Sequence, residues 1–551
     1  MMEGRLFFEF MQVAIGIRES VSVSISDADW HRLFDFCKKQ SLVGVGFTAV
    51  EKLHAIGVVC PAKLRMQWMA LALQIENRNA LLNEQCKKLT EQYGHDGLST
   101  CILKGQGNCL NYPEELRNRR QCGDIDVWTT LMKDERLRIN DYIHTEDTER
   151  HGCPQADYLR EQQLPAIGQQ LKEKNIDPQI AQMDTDGCPQ ADVSSERELP
   201  RIDREFKEIG PQADGGIAIA VQTGREDIKY VTCHGHRAVI EYVRMQFRLQ
   251  GIDADPKACY HHIEAPSMDG TEVEVHYRPA FLRSPVRNWR MQRWFRIHSN
   301  ECMNNRTHLG FSMMTASVNV VYQMCHLYTH VFEGGIGLRQ LMDYYFALRV
   351  WHNDVMECKD LQTQGMWSEG LGKRVMSKCE VFYVLKSFGM GKFAGAVMWV
   401  LREAFVGANE NEKNPQINTD GHRCPQADGR SEREFTRINR ELKENNIYPQ
   451  MNTDGHGEIL INDERLMIND CPWMICEPNE KEGRRLLAEI MQGGNFGQYD
   501  NRDVALKNGG MMKHGVWKLK RVMRLVRSYP EEALWEPVFR VWHLVWRKIN
   551  G

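Results

Sequence analysis

No stretch of about 18 consecutive apolar residues occurs in the 551 residues, so no membrane-spanning helix is expected. An excess of one charge is also missing. Seventy Lys and Arg stand against 74 Asp and Glu, a net −4, which excludes a chain that holds nucleic acid by bulk charge alone. The start, Met1-Met2-Glu3-Gly4-Arg5-Leu6-Phe7-Phe8-Glu9-Phe10, has an early Glu and too short an apolar run for a signal peptide. The 17 cysteines are odd in number and scattered, and none forms a Cys-x-x-Cys pair. A zinc ribbon is thereby excluded and no zinc is expected; thiols in a reducing cytoplasm are the expected state.

Apolar residues are scarce in two further places. Residues 132–215 and 410–470 are polar and share phrases. Gly-Cys-Pro-Gln-Ala-Asp stands at 152–157 and 187–192, and Cys424-Pro425-Gln426-Ala427-Asp428 repeats most of it. Asp134-Glu135-Arg136-Leu137 parallels Asp463-Glu464-Arg465-Leu466. The copies have no fixed period and no apolar face to bury, so a solenoid is excluded. They read as one element inserted in frame twice, disordered or loosely helical because so little apolar surface offsets the entropy of ordering. The rival reading is an arm that binds a partner.

What is present is chemistry around Gln121-Cys122-Gly123-Asp124-Ile125-Asp126-Val127-Trp128. In a strand, Asp124 and Asp126 share one face and Ile125 and Val127 the other. Two like charges side by side call for a cation, and Mg²⁺ accepts carboxylates together with substrate phosphates. Upstream, Leu103-Lys104-Gly105-Gln106-Gly107-Asn108 is an apolar run ending in a glycine turn, a layout that lets backbone N–H groups approach a phosphate. Three arginines, Arg117, Arg119 and Arg120, lie between; they reach triphosphate oxygens or simply balance Glu114, Glu115 and Asp124. Further on, Thr271-Glu272-Val273-Glu274-Val275-His276-Tyr277 alternates strictly, placing Glu272, Glu274 and His276 on one face. Glu274 is the first choice for a third carboxylate, with Glu272 second; the bland alternative is a solvated edge strand.

The remaining segments read as helices. Residues 1–95 form an N-terminal helical region, with a capped start at Ser26-Asp27-Ala28-Asp29 and a long helix from Pro61 to about Tyr93. Residues 96–285 are the expected core, containing the first insert, and 286–551 a C-terminal helical region containing the second. Trp289, Trp294 and Phe295 are expected core anchors there. His326 and His330 share a helical face and are expected to pack rather than bind metal. Arg339 is expected to pair with Asp343 at i,i+4, the alternative being contact with a nucleotide. The basic stripe Lys518, Lys520, Arg521, Arg524 and Arg527 is expected to be a solvated helix face.

Leu-Lys-Gly, Tyr-Pro, Gly-Asp-Ile-Asp and Glu-Val-His-Tyr together resemble the bacterial nucleotidyltransferase family of the polymerase-β-like superfold, over roughly 5–130, 225–405 and 471–545. The resemblance implies an α+β fold, a small mixed sheet flanked by helices. It implies two Mg²⁺ ions held by Asp124, Asp126 and Glu274, an NTP as substrate, and Gly105 as the glycine of the phosphate-cradling turn; Lys104, Gly107 and Arg119 are the further nucleotide contacts expected from the residues themselves. Gln106 stands where the superfamily turn usually has Ser or Gly. The expected reaction moves a nucleoside monophosphate onto an acceptor hydroxyl on a sugar, a protein or an RNA end. The alternatives are a non-catalytic regulator that binds nucleotide or a partner, and a degenerate copy.

Overall fold

Ser26 starts a helix by reciprocal capping: its Oγ accepts from Asp29 N at 3.3 Å, and Asp29 Oδ2 accepts from Ser26 N at 3.2 Å. The helix it opens, α2 (Asp27–Gln40), follows α1 (Met2–Ala14) and precedes α3 (Val43–Ala55) and α4 (Ala62–His95). Trp30, Leu33, Phe34 and Cys37 fall on one face of α2 and are buried. They meet Phe10 of α1 and Trp68 of α4, and Trp68 Nε1 donates to the Val43 carbonyl at 2.8 Å. The buried indole thus has its polar handle satisfied, as a core tryptophan requires.

The computed structural model describes residues 2–131, 217–222, 228–233, 235–254, 256–363, 375–407, 471–500, 502 and 510–550. Both expected inserts, 132–215 and 410–470, lie outside the described residues. The chain divides into two units, Met1–Leu131 with Cys233–Gly551, and Met132–Thr232. The described part of the second is a pair of strands, β3 (Ile217–Gln222) and β4 (Ile228–Cys233), whose last residue already belongs to the first unit.

The first unit carries a four-stranded mixed sheet of order β1-β2-β6-β5, built from β1 (Leu98–Ile102), β2 (Ile125–Leu131), β5 (His262–Met268) and β6 (Thr271–His276). The outer pairings are antiparallel and the central β2–β6 pairing is parallel. Its register sets Asp126 opposite Glu274 and Trp128 opposite His276. Ile125, Val127, Val273, Val275 and Ile263 are buried, alternating along their strands with the polar residues. Helix α7 (Gly235–Leu249) packs on β2 and β5, and α4 on β1. The fold is therefore the expected small mixed sheet with flanking helices.

Between β1 and β2 lie two short helices, α5 (Gln106–Cys109) and α6 (Glu114–Arg117). After the sheet come α8 (Pro285–Met303), α9 (Ala316–Glu333), α10 (Leu338–Thr363), α11 (Lys378–Ser387) and α12 (Gly391–Leu401), then α13 (Glu480–Gly493), α14 (Met511–Leu525) and α15 (Pro530–Asn550). One apolar cluster runs from Phe7 through α9, α10 and α12 to Tyr529 and Ala533. Two expectations are corrected here. Phe295 is buried, but Trp289 is 50% exposed, with Arg293 over its ring. On α14, Arg521 is buried and donates to the Val331 carbonyl, so the basic stripe is only partly solvated. Among the described residues no helix is long and apolar enough to cross a membrane.

Candidate functional site

Asp126 is the most enclosed charge on the polar face of the sheet, 1% exposed. Two groups hold it. Lys104 Nζ lies 2.8 Å from its Oδ1, and His276 Nε2 donates to the same oxygen at 3.1 Å. Its cross-strand partner Glu274 is a like charge, whose Oε2 lies 3.3 Å from His276 Nε2. Burial alone would raise the Asp126 carboxyl, but the Lys104 charge and the His276 hydrogen bond outweigh it and hold it well below the ordinary carboxylate range. Burial likewise acts to raise Glu274, and the His276 hydrogen bond again leaves it lowered. For Lys104 the desolvation is overcome by Asp126, Asp124 and Glu274, so its ammonium is raised and stays charged. His276 is raised as well: burial opposes protonation, but the two carboxylates favour it more.

Asp124 behaves in the opposite sense. It immediately precedes β2 and feels first the Asp126 charge and then burial, which together raise its carboxyl. This is the signature of like charges at close quarters, relieved when a cation enters. Asp126, Glu274 and His276 bring ligand atoms within 4.8 Å of one another, a set able to hold a metal ion. Glu272, two residues before Glu274 on the same face, is exposed and lies outside that set.

The glycine turn comes next to Asp124. Gly105 has φ +54, a conformation open to glycine at little cost, and a Cβ there would meet the Asp124 carbonyl at 3.3 Å. At Gly107 a Cβ would meet the Ile102 carbonyl at 2.8 Å, so that glycine packs the turn rather than lining the cleft. Gln106, the departure from the family pattern, is buried and donates to the Asn79 carbonyl at 3.1 Å and Asn83 Oδ1 at 2.6 Å. It ties the turn to α4 in place of offering a hydroxyl to a phosphate.

A cleft of about 50 Å³ opens here, lined by Lys104, Gly105, Asn108, Arg120, Cys122, Asp124 and Asp126, by Tyr322, Gln323, His326 and Leu327 of α9, by Arg339, Gln340 and Asp343 of α10, and by Phe496. Arg339 corrects an expectation. Asp343 does not pair with it but with Arg120, through Nε at 2.6 Å and Nη2 at 2.7 Å, while Tyr112 Oη donates to Asp343 at 2.6 Å. Among the described residues Arg339 reaches only the Gln121 carbonyl at 3.4 Å, with its guanidinium 5.7 Å from the Phe496 ring centroid and its buried Nε without a partner. Arg119 is a second correction. Its guanidinium is taken by Glu51, by Glu76 at 2.9 Å and by Thr48 at 2.9 Å, away from the cleft. It lines a separate, larger hollow of about 420 Å³ whose four carboxylates, Glu51, Glu76, Glu114 and Glu115, make it a poor host for phosphate.

Reading the sequence assigns no role to His276, His262 or Cys122, and offers nucleotide contact at Arg339 only as the alternative. His276 had a signal, since it shares a face with Glu274 in the alternating strand. Burial pushes His262 down to about 4, and it sits 3.8 Å from Glu274 Oε2. His326 and His330 pack edge to face with centroids 4.3 Å apart, and burial keeps both largely neutral.

Fold and site define a mixed α/β domain with a polar cleft suited to a cation and an anionic ligand. A family model described as "Uncharacterised nucleotidyltransferase" matches residues 26–186. The match covers α2 through β2, including Lys104, Gly105, Asp124 and Asp126, and supports a nucleotidyltransferase family. Glu274 and His276 lie beyond the matched residues. No curated protein and no solved structure matches the chain.

Proposed function

We propose that this cleft moves a nucleoside monophosphate from an NTP to an acceptor hydroxyl, with Asp124, Asp126 and Glu274 as ligands for two Mg²⁺ ions. The observation that carries this reading is the pairing of Asp126 with Glu274 on parallel central strands, with the Lys104 ammonium lying against Asp126 as a cation would. The donor set fits: hard carboxylate oxygens beside room for phosphate oxygens. When bound, the ions would neutralise charge on the α-phosphate and departing pyrophosphate and make the acceptor hydroxyl more acidic. Lys104 exchanges Asp126 for phosphate oxygen, and Arg339 offers the guanidinium edge that has no carboxylate partner among the described residues. Glu274 takes the acceptor proton. The acceptor oxygen bonds to the α-phosphorus as the bond to the β-phosphate oxygen breaks, and pyrophosphate leaves.

A nucleotide needs several hundred Å³, on the order of 300 or more, so the cleft, about 50 Å³ here, has to widen on binding. An NTP substrate suits a cytoplasmic enzyme. We read 96–285 as the transferase core, 1–95 and 286–551 as its helical regions, and 132–215 and 410–470 as additions to it.

Incubating the full chain with α-phosphate-labelled NTPs, Mg²⁺ and cell extract tests the reading. Label should pass to a sugar, protein or RNA fraction, and Asp124→Asn and Asp126→Asn should each lower that rate by more than about 10²-fold. Equal labelling by all three proteins would overturn it and leave nucleotide or partner binding as the use of the cleft.

A further inference from the structure

Beside the carboxylates lies a group the proposed reaction does not use. His262 opens β5 and His261 immediately precedes it, and the sheet register sets His262 opposite His276 at the end of β6. His261 Nε2 and His262 Nδ1 are 2.9 Å apart, and ligand nitrogens of all three rings lie within 4.8 Å of one another. Imidazole nitrogens sharing a metal at bonds of about 2.0–2.1 Å sit roughly 3 Å apart, so the first pair is already at ligand spacing.

His276 supplies an independent observation. The residue is 3% exposed, its Nε2 is held by Asp126 and Glu274, and its Nδ1 is buried with no partner among the described residues. A ligand imidazole is commonly arranged in this way, one ring N–H fixed by a carboxylate and the other nitrogen left for the metal. A hydrogen bond between His261 and His262 accounts for their contact but does nothing for that nitrogen. The Phe281 ring, 4.7 Å from His261 centroid to centroid, walls one side.

We propose that His261, His262 and His276 bind one transition-metal ion of the Zn²⁺ or Co²⁺ class, at a site that adjoins the carboxylate cluster and shares His276 with it. Three imidazoles suit such ions and not Mg²⁺, which takes oxygen ligands. The cysteine pattern that excludes a zinc ribbon does not bear on a histidine set. Asp126 and Glu274 offset the nearby Lys104 charge, so a second cation is not repelled outright. The site stands independently of the nucleotidyl-transfer reading, because its test involves no NTP.

The experiment is titration of the chelator-treated full chain with Co²⁺ in excess Mg²⁺, followed by visible absorption. One equivalent should bind and produce the d–d bands of a nitrogen-rich site. His261→Gln/His262→Gln should lose the bands, while Asp124→Asn keeps them. The single variant His262→Asn, at a partly exposed position, should also lose them and takes the place of the double variant if that one does not fold. Absence of saturable Co²⁺ binding in the parent chain, or bands unchanged in the histidine variants, would overturn the proposal.

Discussion

Cys122 shows how far one residue's surroundings reshape its chemistry. Burial works to raise its thiol, but the hydrogen bond from Cys109, with sulfurs 3.5 Å apart, and the charge of Arg120 bring it down to about 7. Arg120 Nη1 lies 2.7 Å from its sulfur. Cys37 and Cys101, buried without such partners, are raised well above the ordinary thiol range. Alkylation by iodoacetamide is therefore predicted to label Cys122 first, with a rate that climbs as pH passes about 7. Because Cys122 lines the cleft, NTP with Mg²⁺ should slow that labelling. Mapping of modified peptides checks both points; uniform labelling, or no protection by nucleotide, would contradict them.

Among elements, the loop after α13 borders the cleft through Phe496. Phe496 has φ +51, an uncommon conformation for a side-chain-bearing residue, and its ring lies beside Arg339 and His330. The loop is tied down by Asp500, whose carboxylate accepts from Arg502 Nε at 2.9 Å and Nη2 at 2.8 Å, while Arg502 also meets Glu489 of α13. Burial opposes ionisation of Asp500, but these bonds prevail and lower it from 3.8 to about 2. A lowered carboxyl adds stability that is complete above the unfolded value and disappears as pH falls through the folded one. Asp500→Asn should accordingly be less stable than the parent at pH 6, with the gap narrowing between about 3.8 and 2. Urea midpoints at pH 6, 4 and 3 check this, and a gap that stays constant with pH would refute it.

The elements also mark where sequence reading succeeds and stops. Strict alternation in 271–277 and the apolar flanks of Asp126 set the faces of β6 and β2 in advance, because a strand's period is local. The register between them is not local: it joins residues almost 150 positions apart, and nothing in either strand specifies that Glu274 rather than Glu272 stands across from Asp126. Arg119 and Arg120 lie in a loop without periodicity, so which one turns to the cleft depends on α3, α4 and α10. Size alone puts Trp289 inside, yet an exposed aromatic is ordinary on a folded surface.

For the whole molecule, every strand of the four-stranded sheet and every described helix lining the cleft lies in Leu98–Leu131 or His262–Thr363, outside both 132–215 and 410–470. Deleting both 132–215 and 410–470 is thus predicted to leave folding and label transfer intact, within a few-fold. Circular dichroism, a thermal melt and the transfer assay on the shortened chain decide it. Loss of folding or of transfer would mean that these segments belong to the working protein.

The central claim is that Asp124, Asp126 and Glu274 share cations in a cleft that takes an NTP. Anomalous scattering from crystals grown with Mn²⁺ and a non-hydrolysable NTP measures it most directly. Two manganese peaks bounded by those carboxylates, with Lys104 Nζ drawn from Asp126 toward phosphate, are the predicted result. Peaks at the histidines alone, or no peak near Asp126, would contradict it.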